Sequence, residues 1–72
     1  MAKLKISNNI RRLRFENGEM TQAELAKKAG VTRQTIVAIE AAKYAPSLEL
    51  AFQIARAFGV PLEEVFLWEE GD

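Results

Sequence analysis

The 72-residue chain contains no cysteine and no histidine. Without cysteine there is no disulfide framework or thiolate zinc site, and without histidine there is no imidazole ligand, histidine base or Ser-His-Asp triad. Aspartate occurs only as Asp72, so the Asp-rich oxygen cages that hold calcium or magnesium are missing too. We therefore expect no enzymatic activity, no metal and no cofactor, and we expect the protein to act by binding.

Long hydrophobic runs are also absent. No stretch approaches the roughly 20 apolar residues that span a bilayer, and the N-terminus has no apolar core of signal-peptide length. We therefore expect a cytoplasmic protein with no membrane partner. The length fits one domain over residues 1–72, and 49% hydrophobic residues can supply the core that so short a chain needs.

The net charge is zero, but the two signs are separated along the chain. Residues 1–43 hold nine Lys/Arg and four Glu, a charge of +5, and residues 44–72 hold one Arg against five Glu and one Asp, a charge of −5. This asymmetry is typical of a nucleic-acid-binding face opposite a surface that avoids nucleic acid. A dipolar surface with no partner is the alternative.

Glycines, capping residues and apolar spacing predict an all-α fold of five helices with short connections. Gly18, Gly30 and Gly59 each follow a segment with helical spacing and are predicted helix stops. The predicted caps of the first four helices are Ser7, Thr21, Thr32 and Ser47. Pro61 is expected at the first position of a short fifth helix.

The clearest helix start is the T-x-x-E capping box of Thr21 and Glu24. A loop is expected at Lys43–Pro46, because the residue before a proline avoids helical dihedral angles. The predicted apolar faces of the first four helices comprise Ile10 and Leu13, then Leu25, Ala26 and Ala29, then Ile36 and Ile39, and then Leu48, Ala51, Ile54, Ala55 and Phe58. The short fifth helix carries Leu62, Val65 and Phe66.

The two ends of the chain differ from its middle. Lys3–Ile6 alternates with period two, and Val65–Trp68 is rich in β-branched and aromatic residues. These patterns predict either a small terminal β-ribbon or two frayed ends. A two-stranded ribbon is marginal in water, so it would have to pack against the helices or a second subunit. The helical core is expected over residues 7–66, with 1–6 and 67–72 as terminal segments.

Residues Gln22–Glu40 predict a helix, a tight turn and a second helix. Gly30 supplies the positive φ of the turn, and Ala26 is small where the helices cross. The outward residues near the start of the second helix are Arg33, Gln34, Thr35, Val37 and Ala38. These types suit base edges, because Arg bonds guanine bidentately, Gln bonds adenine and small apolar groups contact a thymine methyl.

Seven segments carry a resemblance to a known family. They are Ile10–Arg14, Thr21–Ala26, Gly30–Ile36, Ile39–Glu40, Lys43–Tyr44, Pro46–Ala51 and Phe58–Glu64. Over residues 8–66 the chain resembles the helix-turn-helix domain of the phage-repressor and Cro type, also called the xenobiotic response element family. The likeness is greatest to short stand-alone regulators that end in a Phe-x-Trp tail, as Phe66–Trp68 does, and it implies a five-helix repressor-like fold that binds double-stranded DNA as a homodimer.

The resemblance also implies roles for individual residues. Positions that contact the DNA backbone are matched by Gln22, Thr32 and Lys43. Positions that face bases in the major groove are matched by Arg33, Gln34 and Ala38, with Thr35 as a lesser candidate. For Gln22 and Lys43, ordinary solvated surface is the alternative.

A structural salt bridge and two departures complete the comparison with the family pattern. Arg14 and Glu40 match an ion pair that ties the first helix to the recognition helix. The turn after the first helix is one residue longer than usual, which predicts a bulge at Asn17–Glu19. Ala41–Ala42 replaces the usual Asn-Gly, so we expect the third helix to run longer and to shift Lys43 relative to DNA.

The leading hypothesis is a sequence-specific transcriptional regulator, a repressor that occupies a palindromic operator as a homodimer. No small-molecule ligand is expected. Leu62, Phe66 and Trp68 are the candidate dimer residues, because so short a fifth helix leaves large apolar groups that a monomer covers poorly. Packing of these residues within the chain's own core is the alternative. The second hypothesis is the antitoxin, or another protein-interaction module, of a toxin-antitoxin pair.

Overall fold

A computed structural model describes residues 5–69, which form five short helices closed by a two-stranded ribbon. In chain order the elements are β1 (Ile6–Asn8), α1 (Ile10–Glu16), α2 (Gln22–Ala29), α3 (Arg33–Glu40), α4 (Leu48–Phe58), α5 (Leu62–Val65) and β2 (Phe66–Trp68). The predicted fold class is thus confirmed, with α2 and α3 as the helix-turn-helix. None of the helices in the described part of the chain is long and apolar enough to cross a membrane.

The ribbon joins the two ends of the helical unit. β1 and β2 are antiparallel, with Ile6 opposite Trp68 and Asn8 opposite Phe66. The described ends of the chain therefore form the β-ribbon, and the alternative of two frayed ends is wrong for these residues. The bounds of the strands differ from the prediction, since Ser7 and Phe66 lie in strands rather than in the helical core. Residues 3–4, where the predicted alternation begins, and residues 70–72 lie outside the described residues.

Helix caps follow the sequence closely from α2 to α4. Thr21 and Glu24 form both hydrogen bonds of the capping box, at 3.0 and 2.8 Å. The hydroxyls of Thr32 and Ser47 each accept a hydrogen bond from the backbone N–H three residues later. Gly30 ends α2 at a φ of 78°, a left-handed conformation that costs glycine little. These four predictions are confirmed.

Two predicted helix starts are wrong. Ser7 does not cap α1, because it pairs with Leu67 in the ribbon and Asn9 occupies the N-cap position. Pro61 lies at the N-cap of α5, one position before the first helical residue. The ribbon sets the start of α1, because Ser7 belongs to β1. Pro61 keeps an extended backbone with a ψ of 157°, so α5 begins one residue later at Leu62.

The core lies between the helices, and every helix contributes to it. Side chains less than 2% exposed are Ile10, Leu25, Ile36, Ile39, Ile54 and Val65. Small residues are buried as well, among them Ala26 of α2 and Ala55 of α4, and α2 packs against both α3 and α4. One predicted core position is wrong: Leu48, at the start of α4, is 68% exposed, because it lies at the edge of the apolar stripe, one turn before the half-exposed Phe52.

The turn between α1 and α2 is bulged as predicted. Gly18 and Glu19 both have positive φ, at 73° and 57°. The N–H of Met20 donates to the carbonyl oxygen of Arg14 at 2.8 Å, which closes the bulge and returns the chain toward α1. The extra residue is absorbed within this turn, and Met20 is buried in the core.

The end of α3 contradicts the expectation that this helix runs longer. α3 ends at Glu40, and Ala42 adopts a φ of 60°. The N–H of Lys43 donates to Ala38 and that of Ala42 to Ile39, both at 2.9 Å, the two hydrogen bonds of a Schellman motif. Alanine therefore occupies the left-handed position that glycine usually fills, and Lys43 follows directly after the turn.

We expect Ala42→Gly to raise the free energy of unfolding by about 1 kcal/mol, because glycine removes the steric cost of a side chain in the left-handed region. The corresponding rise in Tm for a domain of this size is about 4–8 °C. Ala41→Gly is the matched control, since Ala41 has a φ of −80° and glycine there should lower stability by about 0.5–1 kcal/mol. Thermal and urea unfolding measure both, and a loss of stability in both variants would contradict a strained Ala42.

Candidate nucleic-acid interface

The N-terminus of α3 presents long, exposed side chains that can form hydrogen bonds with a ligand. Arg33 and Gln34 are exposed in its first turn, and within residues 5–69 neither forms a hydrogen bond or ion pair with another side chain. Thr32 is also exposed, but its hydroxyl caps the helix and lies 3.0 Å from that of Thr35. The first turn is therefore held by the threonines, while Arg33 and Gln34 are free to contact a ligand.

The remaining predicted contact positions of α3 and the following loop are less uniform. Ala38 and Thr35 are half-buried, and Val37 is just over one-third exposed. Lys43 is exposed beyond the Schellman turn. The outer face of α3 therefore has two long polar side chains in its first turn, followed by the smaller Thr35, Val37 and Ala38. Small side chains at these positions let the helix backbone lie close to the floor of a DNA groove.

A groove beside α3 brings residues of three helices together. Gln22, half-buried at the first position of α2, and Arg33 both line it. Arg11 of α1 lines the same groove. Gln22 also stands among the first N–H groups of α2, which point away from the helix and suit an anion. The predicted backbone contact of Gln22 and base contact of Arg33 thus lie on one continuous surface.

The groove carries a formal charge of +1, because three arginines and two glutamates line it: Arg11, Arg14 and Arg33 with Glu19 and Glu40. In the described part of the chain the ion pairs are Arg12 with Glu16 and Arg14 with Glu40. Arg11 and Arg33 are outside these pairs and, among residues 5–69, outnumber the one unpaired carboxylate of the groove, Glu19. Sequence reasoning missed Arg11, although its position three residues before Arg14 places both on one face of α1.

The ion pair between Arg14 and Glu40 joins α1 to the end of α3. Its two hydrogen bonds run from Nε to Oε1 at 3.0 Å and from Nη2 to Oε2 at 2.9 Å, while Nη1 donates to the carbonyl oxygen of Met20 at 2.8 Å. The side chains are only 17% and 14% exposed. Because the fork bonds both helices and the bulged turn, it fixes the position of α3 relative to the groove.

Asn8 and Asn9 form a second set of ties that sequence reasoning missed. Nδ2 of Asn8 donates to the carbonyl oxygens of Ile39 at 3.0 Å and Glu40 at 3.4 Å, at the C-terminal end of α3. Nδ2 of Asn9 donates to Glu64 at 3.1 Å, at the end of α5. The available signal was the preference of asparagine for helix ends and turns, but the partners lie more than 30 residues away.

The three candidate dimer residues differ in exposure. Leu62 and Phe66 are half-buried and pack against the chain's own core. Trp68 is 64% exposed, and its neighbour Leu67 is 41% exposed. Most of the free apolar surface at this end of the chain therefore belongs to β2 rather than to α5.

The fold and this surface together define a helix-turn-helix protein, and comparison with known proteins gives the family. Residues 10–65 match the family model described as helix-turn-helix. The chain is 45% identical over 65 residues to the uncharacterized HTH-type transcriptional regulator YgzD of Bacillus subtilis, an alignment that spans 90% of this chain and 97% of YgzD. The chain belongs to the helix-turn-helix family of transcriptional regulators, as the resemblance predicted.

Other relatives extend across bacteria and archaea. The uncharacterized HTH-type transcriptional regulator MJ0272 of Methanocaldococcus jannaschii is 58% identical over 53 residues, covering 74% of this chain and 80% of MJ0272. The cryptic phage CTXphi transcriptional repressor RstR of Vibrio cholerae is 37% identical over 59 residues, covering 82% of this chain and 52% of RstR. A crystal structure from Bacteroides fragilis shares the fold, with a TM-score of 0.75 at 24% identity over 85% of this chain and 97% of that one.

We expect Arg14→Lys to lower the free energy of unfolding by about 1–3 kcal/mol, because lysine keeps the charge but loses the fork that bonds Glu40 and Met20 together. Arg12→Lys is the matched control. Arg12 pairs with Glu16 at 3.6 Å with both side chains more than half exposed, so the change should stay within about 0.5 kcal/mol. Urea unfolding compares the two variants, and equally small effects would mean that the fork does not hold α3.

Proposed function

We propose that this protein is a cytoplasmic, sequence-specific regulator that binds double-stranded DNA as a homodimer on a palindromic operator and represses transcription by occupying the promoter. The observation that carries the proposal is the exposed N-terminus of α3, where Arg33 and Gln34 are free while the helix behind them is tied to α1. Base recognition requires this combination, because a bidentate contact discriminates only when its donor is held in register.

In this proposal the N-terminal half of α3 enters the major groove. Arg33 and Gln34 contact base edges there, with Ala38 close to the groove floor and Thr35 as a lesser contact. Gln22 and Arg11, which line the protein groove beside α3, bind phosphates of the DNA backbone. Thr32 contributes through its place at the helix N-terminus, since its hydroxyl already caps α3.

Lys43 is the last proposed phosphate contact. The Schellman turn at Ala42 keeps Lys43 immediately beyond α3, and its side chain is exposed. The shift expected from a longer α3 therefore does not arise. This supports the prediction that Lys43 contacts the DNA backbone.

The homodimer is proposed from the apolar surface that remains exposed. Trp68 has most of its surface free for a partner, whereas Leu62 and Phe66 have already buried part of theirs in the monomer. A two-fold dimer would place two copies of α3 on one face of DNA, about one helical turn apart.

Selection of bound duplexes from a random DNA library tests the proposal. At near-physiological salt, where nonspecific phosphate attraction is weak, we expect enrichment of a palindrome with half-site centres about one helical turn apart. The purified full chain is the protein used. Failure to enrich any sequence would contradict the proposal and favour a protein-interaction module, such as the antitoxin of a toxin-antitoxin pair.

Two substitutions separate base contacts from phosphate contacts on the enriched operator. Arg33→Ala should weaken the free energy of operator binding by about 1–3 kcal/mol and relax specificity at one base position. Gln22→Ala should weaken binding to all sequences alike, since a phosphate contact carries no sequence information. Binding to the operator and to each single-base variant is measured for both proteins. Uniform losses from Arg33→Ala would show that Arg33 does not read a base.

A further inference from the structure

The outer face of α4 carries two large apolar side chains that no other part of residues 5–69 covers. Leu48 and Phe52 lie one helical turn apart and are 68% and 50% exposed. Together with Glu49, Gln53 and Arg56 they line a single shallow groove. We call these five residues the α4 face. Its apolar centre, bordered by charged residues, has the composition of a small protein contact.

The charges of the α4 face are placed so that the face complements itself. Glu49 lies near the start of α4 and Arg56 near its end, at equal distances from the midpoint between Phe52 and Gln53. Neither charge has an ion-pair partner within the described residues. If two α4 helices lie antiparallel across a two-fold axis through this midpoint, each Glu49 faces Arg56 of the partner subunit. A parallel arrangement would instead oppose like charges.

We propose that two copies of this chain meet through their α4 faces, packed antiparallel with Phe52 near the two-fold axis. The inference rests on the proposed homodimer and names a contact by which its subunits associate. A second copy fits better than an unrelated acidic or basic partner, because the face carries both signs in a self-complementary order.

The contact between two α4 faces is small, so it forms only at high protein concentration. One face of an 11-residue helix is well below the roughly 800 Å² that each partner contributes to a standard stable interface. The α4 contact is therefore weak between free molecules and strengthens when two copies are held together, as on adjacent half-sites, at an effective concentration of about millimolar.

The absence of cysteine makes the register directly testable by disulfide trapping. Glu49→Cys and Arg56→Cys are made separately, one with an affinity tag, and are oxidised alone and mixed at about 1 mM, the concentration at which the contact should be populated. In the antiparallel register the thiol of Glu49→Cys meets the thiol of Arg56→Cys in the other protein. Identical cysteines are about 10 Å apart along the helix axes, beyond the reach of a disulfide. A tagged-untagged disulfide should exceed either self-linked product at least fivefold.

Lys27→Cys, on the exposed side of α2, measures collisional cross-linking. Mixed cross-linking no greater than self-linking, or no greater than this control, overturns the α4 contact. Charge reversal gives an independent test, because Glu49→Arg and Arg56→Glu should each lose association alone and regain it when mixed. Absence of that recovery also contradicts the proposal.

The library selection separates failure of this contact from failure of the proposed function. Enrichment of an operator without the 49–56 cross-link overturns the α4 contact and leaves DNA binding intact. The cross-link without any enriched sequence supports the contact and overturns the proposed DNA-binding function.

Discussion

The bidentate pair of Arg14 and Glu40 is the interaction on which the geometry of this surface depends. α3 has only eight residues, too few for an isolated helix to be stable in water, so both its existence and its direction come from tertiary contacts. The buried side of α3 supplies Ile36 and Ile39, but apolar contacts are not directional. The fork of Arg14 adds direction, because two parallel hydrogen bonds at 2.9 and 3.0 Å specify one orientation of Glu40 relative to α1.

Ion pairing also separates the arginines into those whose charge is balanced by a glutamate and those whose charge is not. Arg14 is neutralised by Glu40 and Arg12 is paired with Glu16, so both contribute little net field to the groove. Arg11 and Arg33 line the same groove as Gln22 without an ion-pair partner among the described residues, against one unpaired carboxylate, Glu19. The zero net charge of the chain therefore coexists with a local positive surface, which is the quantity that an approaching phosphate encounters.

The features that sequence predicted well are those determined within one turn of helix. The capping box of Thr21 and Glu24 and the glycine stop at Gly30 need only neighbouring backbone groups, and the structure has them where they were expected. The features it missed depend on distant partners. Ser7 was assigned as a cap because hydroxyl residues cap helices, but pairing with β2 takes Ser7 into the ribbon. Asn8 contacts α3 across the fold, and no local pattern identifies such a partner.

The candidate site shows the same limit in another form. The family pattern identified Arg33 and Gln34, whose exposure on α3 follows from helical periodicity. Arg11 joins them only because α1 crosses near α2 and α3, which is a property of the packing. The apolar stripe of α4 predicts that Leu48 is buried, yet Leu48 lies at the edge of that stripe, on the side where Phe52 is also exposed. Periodicity indicates which side of a helix is apolar, but not how much of that side the neighbouring helices cover.

Ala42 illustrates how tertiary contacts can override a local preference. A non-glycine residue in the left-handed region costs about 1–2 kcal/mol, and a longer α3 would avoid that cost. It would also displace the carbonyl oxygens of Ile39 and Glu40, to which Asn8 donates, and would redirect the chain that follows. In the observed turn all of the last four carbonyl groups of α3 accept hydrogen bonds, from Asn8 or from the backbone of residues 41–43. Because these bonds and the fork on Glu40 all require the helix to end at one residue, their combined stabilisation exceeds the strain at Ala42, and Lys43 follows α3 directly without a glycine in the turn.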